Sequence, residues 1–242
     1  MEKMLERSAR LYGESGICKL KNSHVAVFGL GGVGSYAVEA LARAGVGEIT
    51  VVDSDEYEIT NLNRQLYATL NTLGVKKTTA TRDRIKSISP NTKVNEIDGF
   101  ITENDNLGIN FSSFSYVLDA IDTISGKIAI ISACKKAGVP VISCMGTGNK
   151  VNPTLFKVED VYKTKVCPLC KVMRKLLKDS GVERLKVVYS EEEPVKINYD
   201  ENSEKKGAGY APASISFVPS VAGLIIAGEV IKDLIKGSKG ND

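Results

Sequence analysis

Through the first 145 residues, short β-branched runs alternate with segments whose apolar positions recur at helical spacing. The strand-like runs are His24–Phe28, Ile49–Asp53, Lys93–Ile97, Tyr116–Asp119 and Pro140–Cys144; helix-like periodicity lies near Gly34–Ala44, Val75–Ile88 and Ser125–Ala137. Alternation at this pitch predicts right-handed βαβ units and an α/β fold, a mostly parallel sheet with helices on both faces. Val51-Val52 and Val141-Ile142 are apolar on successive residues, the pattern of strands buried on both sides at the centre of a sheet.

After Met145 the pattern changes. A strand is expected at Thr154–Val158, followed by a polar, Lys- and Glu-rich segment from about Asp160 to Lys206. Within it, Glu191-Glu192-Glu193-Pro194 and the run Asp200–Gly207 read as exposed loop. The run from Gly207 to Gly228 lacks charged residues. Its first half is small, polar and twice interrupted by proline, and its second half soon acquires Glu229, Lys232 and Asp233. It therefore reads as a buried helix capped by Ser220 and ending at Gly237, not as a membrane span, with SKGND as a frayed tail. The organisation expected is one domain over 1–242: an N-terminal arm (1–23), a core (24–159), a crossover insertion (160–212), and a closing strand with a C-terminal helix (213–242).

Composition narrows the chemistry. The 242 residues suit one large domain, and 43% hydrophobic content suits a globular protein. A formal charge of +3 gives no strong overall field. Five cysteines (Cys18, Cys134, Cys144, Cys167, Cys170) at irregular spacing argue against a disulfide framework. With a charged N-terminus that does not read as a signal peptide, they point to the cytoplasm. His24 is the single histidine, which argues against His-based triads and His-rich metal sites.

The first strand runs into Gly29-Leu30-Gly31-Gly32-Val33-Gly34, a G-x-G-x-x-G at a strand-to-helix junction, and this makes the sheet Rossmann-like. Gly29 permits the tight turn, Gly31 and Gly32 let phosphate approach the backbone, and Gly34 lets the helix pack closely. The helix N-terminus offers free N–H groups to phosphate, and Asp53, closing the second strand, is placed to hold a ribose. The bland reading is a glycine-rich turn that binds nothing; strand, helix and acid together favour a nucleotide.

The residues beyond Asp53 do not suit hydride transfer. Asp55, Asn61, Arg64, Gln65 and Lys77 put polar and cationic groups just past the ribose site, as a triphosphate requires. Asp122 ends Asp119-Ala120-Ile121-Asp122 at the carboxyl edge of the fourth strand and is a reasonable Mg²⁺ ligand beside phosphate oxygens. Each of these alone reads equally as an ordinary surface charge or loop cap.

GLGGVGS, VVDSD, NLNRQ, GVKK and DAID, in this order, resemble the ThiF/MoeB-type superfamily of ubiquitin-activating-like adenylyltransferases. The resemblance implies ATP as cofactor, Asp53 on the ribose, and Asn61, Arg64, Gln65 and Lys77 around the triphosphate. It places Asp122 beside the metal and the α-phosphate. It also implies a homodimer, because Arg10 in RSARLYG matches an arginine that reaches into the partner's ATP site. The catalytic set implied is Arg10, Arg64, Lys77 and Asp122. Such enzymes usually carry two CxxC pairs holding a structural zinc, whereas this chain has only Cys167-Pro168-Leu169-Cys170.

SARLYGE, FSYVLDAIDT and VCPLCKVMRKLLK look more like a narrower group, the tRNA threonylcarbamoyladenosine dehydratases. That resemblance implies ATP-dependent cyclisation of the threonylcarbamoyl side chain of a modified adenosine beside the tRNA anticodon. An intramolecular attack then replaces any thiol nucleophile. A tRNA substrate suits the basic stretch Lys163, Lys165, Lys171, Arg174, Lys175 and Lys178, four of which would share a face of a helix beginning near Pro168; a merely solvated helix fits the same residues. Three other readings stand beside it: an adenylyltransferase for a small sulfur-carrier protein, an NAD(P)-dependent oxidoreductase, and a non-catalytic ATP-binding module. A sulfur-transfer or carrier protein remains open as a partner.

Overall fold

The computed structural model describes residues 3–198, 205–206 and 209–236. The chain opens with α1 (Glu6–Lys21), kinked at Gly13, and continues β1 (His24–Phe28), α2 (Gly34–Ala44), β2 (Glu48–Asp53), α3 (Lys77–Ile88), β3 (Lys93–Asp98) and β4 (Tyr116–Asp119). Then come α4 (Ile124–Ala137), β5 (Val141–Cys144), β6 (Phe156–Asp160), α5 (Pro168–Asp179) and β7 (Lys186–Ser190), a short hairpin of β8 (Lys205–Lys206) and β9 (Gly209–Tyr210), and α6 (Phe217–Lys236).

Seven strands form one sheet in the order β3-β2-β1-β4-β5-β7-β6. All neighbours run parallel except β6, which pairs antiparallel with β7. The α/β sheet expected from the alternation is thus present. The strands β1, β4 and β5 are almost wholly buried and apolar on successive residues, because helices cover both faces. α2 and α6 pack on one face with Val38, Leu41, Ile226 and Val230 in its core; α4 covers the other with Ile130 and Cys134. Gly223 lets α6 settle on α2, since a Cβ there would come within 2.3 Å of the Val33 carbonyl oxygen.

Several boundaries shift for local reasons. α3 begins at Lys77 rather than Val75, because Gly74 N–H donates to the Tyr57 carbonyl and the Val75 carbonyl accepts from Tyr57 N–H, pinning that stretch as a turn. Pro153–Leu155 forms a 3₁₀ turn, so the expected strand starts at Phe156. The polar segment expected over 160–206 also holds a strand not foreseen there: the KVVYS run of β7 is largely buried and inserts between β5 and β6. Ser220 is no cap; it is buried inside α6, which starts at Phe217 and holds Pro219 in its first turn, where no N–H partner is needed. The closing strand expected after residue 213 is absent among the described residues: Ala213 N–H instead donates to Asn149 Oδ1 at 2.7 Å. Asp200–Glu204, Gly207, Gly237 and the SKGND tail lie outside the described residues, and Lys205–Lys206 pair in the hairpin. No helix among the described residues is long and apolar enough to cross a membrane.

Candidate active site

Sheet order reverses between β1 and β4, the position at which open α/β sheets hold ligands beyond their strand ends. A cleft of about 780 Å³ lies there, floored by the glycine loop after β1, by Asp53 at the end of β2, and by the Ala120–Asp122 turn after β4. Gly29 and Gly34 occupy positions nothing larger could. Gly29 has φ +86°, and a Cβ on it would meet the Ala120 carbonyl at 2.8 Å; one on Gly34 would stand 1.7 Å from the Gly29 carbonyl oxygen. Gly31 is different. The nearest atom to a Cβ there is Gln65 Nε2 at 3.9 Å, which leaves the backbone open to a ligand. Gly32 lies against Pro219 of α6 and the Arg64 side chain, so α6 backs the loop.

Asp53 Oδ2 accepts from Leu30 N–H at 2.6 Å and Oδ1 from Asp55 N–H at 2.9 Å, tying the acid to the glycine loop. Burial pushes its carboxyl above the usual range, and the Lys77 charge with these two N–H groups pulls it partly back. Lys77, 5% exposed, reaches Asp55 Oδ2 at 2.7 Å, and its own N–H donates to the Asp55 carbonyl. A buried ammonium paired to an exposed carboxylate is a charge held ready: an incoming anion can take Asp55's place without reorienting the lysine.

NLNRQ forms a tight turn before α3. Asn61 Oδ1 accepts from Glu58 N–H as part of a capping box, so much of this side chain serves the turn rather than a ligand. Arg64 donates to the Thr60 carbonyl at 2.9 Å and to Asn63 Oδ1 at 3.0 Å while lining the cleft. Gln65 is buried, and its Oε1 has no hydrogen-bond partner. An unpaired buried acceptor is costly unless a ligand or water completes it. Asp122 stands exposed at the rim of the same cleft.

Gly34 packs against the Gly29 carbonyl without lining the cleft, and of the other expected residues only Arg10 falls outside it. It sits on the exposed surface of α1, paired with Glu6, and does not line this protomer's cleft. Conversely, the sequence pattern did not point to Lys127. This lysine of α4 is 1% exposed, and Nζ reaches Asp119 Oδ2 at 3.0 Å, the Cys144 carbonyl at 2.7 Å and Ser143 Oγ at 3.3 Å. Ser143 Oγ donates to the same Asp119 oxygen at 2.5 Å. The network binds the ends of β4 and β5 together beneath the cleft. Its one sequence signal is a lone lysine in the apolar run of IDTISGKIAII.

Cys167 caps the start of α5, and Cys170 lies one turn on; both are buried. The Cys170 thiol and the N–H groups of Cys170 and Leu169 hold the Cys167 thiol down to about 6, while sharing with that group pushes Cys170 up. Leu169, between them, and Cys144 line the far wall of the cleft. Arg174 does not join an open cationic face: it is half-buried and donates to Thr164 Oγ1 at 2.6 Å, which leaves Lys171, Lys175 and Lys178 as the exposed cations of α5.

Comparison with known proteins gives the family. The ThiF family model matches residues 5–241. The tRNA threonylcarbamoyladenosine dehydratase of Bacillus subtilis is 43% identical over 238 residues, 95% of this chain and 94% of that protein. The Escherichia coli tRNA N6-threonylcarbamoyladenosine dehydratase TcdA superposes in its complex with ATP at a TM-score of 0.84 and 31% identity, covering 97% of this chain and 94% of that one. Its complex with AMP gives 0.83 and 33%, over 95% and 93%. The chain belongs to the ThiF family, and within it to the group of tRNA threonylcarbamoyladenosine dehydratases.

Proposed function

We propose that this chain uses ATP to adenylate the carboxylate of threonylcarbamoyladenosine in tRNA and then closes that side chain into its cyclic form. The observation that carries the reading is that Lys77, Arg64 and Gln65, whose buried Oε1 lacks a partner, line one cleft with the open backbone of Gly31 and with the acid Asp53. A nicotinamide cofactor would leave those cationic groups without work. The substrate carboxylate oxygen attacks the α-phosphorus, the bond to the β-phosphate breaks, and pyrophosphate leaves. The side chain's own nucleophile then attacks the acyl carbon and expels AMP. Lys77 and Arg64 stabilise negative charge on the phosphates as that first bond breaks.

One carboxylate at the rim suits a metal bound mainly through phosphate oxygens, which is how Mg²⁺ is commonly held. Asp122 would hold it, and the ion would supply charge neutralisation at the phosphates. Arg10 supports a homodimer in which each α1 completes the partner's cleft, since its position on the exposed face of α1 leaves it available to a second subunit. Such an enzyme works in the cytoplasm, where tRNA is modified.

The decisive test is mass spectrometry of tRNA nucleosides after incubation with purified protein and ATP. Cyclic threonylcarbamoyladenosine should accumulate with stoichiometric AMP. NADH oxidation without nucleotide cleavage would sink the reading. For the dimer, mixing Arg10→Ala with Lys77→Ala subunits should restore one working site per mixed dimer; failure in a demonstrated heterodimer would place Arg10 outside the chemistry.

A further inference from the structure

A second cavity, about 1100 Å³, adjoins the nucleotide cleft and shares Asp122, Thr123 and Pro212 with it. It is a groove between the first turns of α4 and the last turn of α5, closed on a third side by Tyr210 of β9. Its walls are mostly apolar: Ile124 and Ile128 on one side, Leu176 on the other, with the Tyr210 ring 40% exposed at the edge. Building on the function proposed above, we infer that this groove holds the unpaired purine base that carries the reacting side chain.

Three features favour a base over any other part of an RNA. The first is continuity. Asp122 belongs to both cavities, so a group seated in the groove can present a tethered carboxylate at the α-phosphate. Only about four bonds separate the adenine N6 from that carboxylate carbon, roughly 5 Å when extended at ordinary bond lengths. The purine must therefore lie against the cleft, and the groove is the neighbouring space. The second is charge. Glu103 and Asp179 line the groove, so it repels phosphate and accepts a neutral ring. Lys175 and Lys178 are exposed on α5 beside Leu176 and Asp179, outside the groove, where a sugar–phosphate chain would run. The third is surface. Aliphatic side chains with an exposed aromatic ring form a platform on which a base can stack, and stacking needs no base pairing.

Ser125 and Ser180 line opposite walls of the groove, are exposed, and do not touch the nucleotide cleft. Ser125→Trp and Ser180→Trp should each fill it. With tRNA bearing threonylcarbamoyladenosine, we expect KM to rise at least tenfold while affinity for ATP alone stays at the wild-type value. The dependence of tRNA affinity on salt should keep its slope, because the cations that meet the phosphates are untouched. Tyr210→Ala, which opens the groove instead of blocking it, should raise KM roughly fivefold or more. This variant decides the matter if either tryptophan abolishes ATP binding. Unchanged KM in the variants, or weaker binding accompanied by a flattened salt slope, would overturn the base-binding groove. A wild-type protein that makes no cyclic product would instead overturn the function on which the groove rests.

Discussion

The two halves of the active-site region are built on opposite plans. Around the glycine loop, the key positions are held by sterics and paired charge: Gly34 under the Gly29 carbonyl, Asp53 on two backbone N–H groups, and Lys77 against Asp55. Around the end of α5 and Tyr210 of the β8–β9 hairpin, the groove is mostly apolar and open, with Lys175 and Lys178 exposed beside it. A nucleotide presents the same phosphates each time, so preorganised groups gain most there. A large RNA is gripped over a wide surface by many weak contacts, none of which need be fixed beforehand. Substitutions should therefore be expensive and local on the nucleotide side, and graded on the other.

The largest effect is expected at Lys127. Lys127→Met leaves the Asp119 carboxylate buried without its cation, and breaking such a pair costs about 3–5 kcal/mol of stability. Adding Asp119→Asn should recover part of it, since the uncompensated charge is then gone. Denaturant unfolding of the two variants measures this directly. Equal losses in both would show that packing, not the charge, dominates.

Next come Lys77→Ala and Asp122→Ala, which should leave the fold intact and raise the barrier by about 3–4 kcal/mol, the usual cost of removing a group that stabilises developing charge. AMP release with modified tRNA reads this out, alongside circular dichroism. Near wild-type rates in either variant would put the chemistry elsewhere.

These residues also show how far a sequence can be read. The nucleotide side was legible because its requirements fall on residue types that have no substitute: a glycine where a Cβ would strike a carbonyl, an acid at a strand end, a lysine opening a helix. Lys127 was hidden because a lone lysine in a helix normally faces water, and only tertiary packing turns it inward beneath β4 and β5. β7 was hidden for a related reason. Its five residues stand among charges, and nothing local says that they will pair between β5 and β6. The helix beginning at Pro168 was legible, but not the fate of Arg174, since its partner Thr164 is bound through the fold of the preceding loop.

With Arg174 turned toward that loop, the cationic face of α5 narrows to three lysines. Reversing Lys171, Lys175 and Lys178 to Glu should weaken tRNA binding and flatten its salt dependence, the slope falling by roughly one for each phosphate left without its cation. ATP affinity should not change. Arg174→Glu belongs in a separate experiment, because it would also break the bond to Thr164 and disturb the loop. A salt slope unaltered by the triple reversal would show that tRNA approaches over another face.

The smallest effect is expected at the cysteine pair, which lies where the two halves meet. Cys167 has the features of a reactive thiol: it starts a helix, and its thiol is held down to about 6 by Cys170 and by two backbone N–H groups. Yet it is 3% exposed, Cys170 is fully buried, and the residue between them that lines the cleft is Leu169. A nucleophile must meet the acyl carbon, and cyclisation supplies one from within the substrate, so neither thiol is required. Cys167→Ser with Cys170→Ser should keep turnover within a factor of about three of wild type, less than about 1 kcal/mol of barrier. The hydroxyls, buried in place of thiols, should cost stability of about 1–3 kcal/mol, so the rates must be compared below the variant's melting temperature. The pair of alanine substitutions provides a control free of that penalty. If both pairs fold, bind ATP and still fail to release AMP with modified tRNA, a covalent step through Cys167 is part of the reaction, and the division between a fixed nucleotide side and an open substrate side does not hold at their seam.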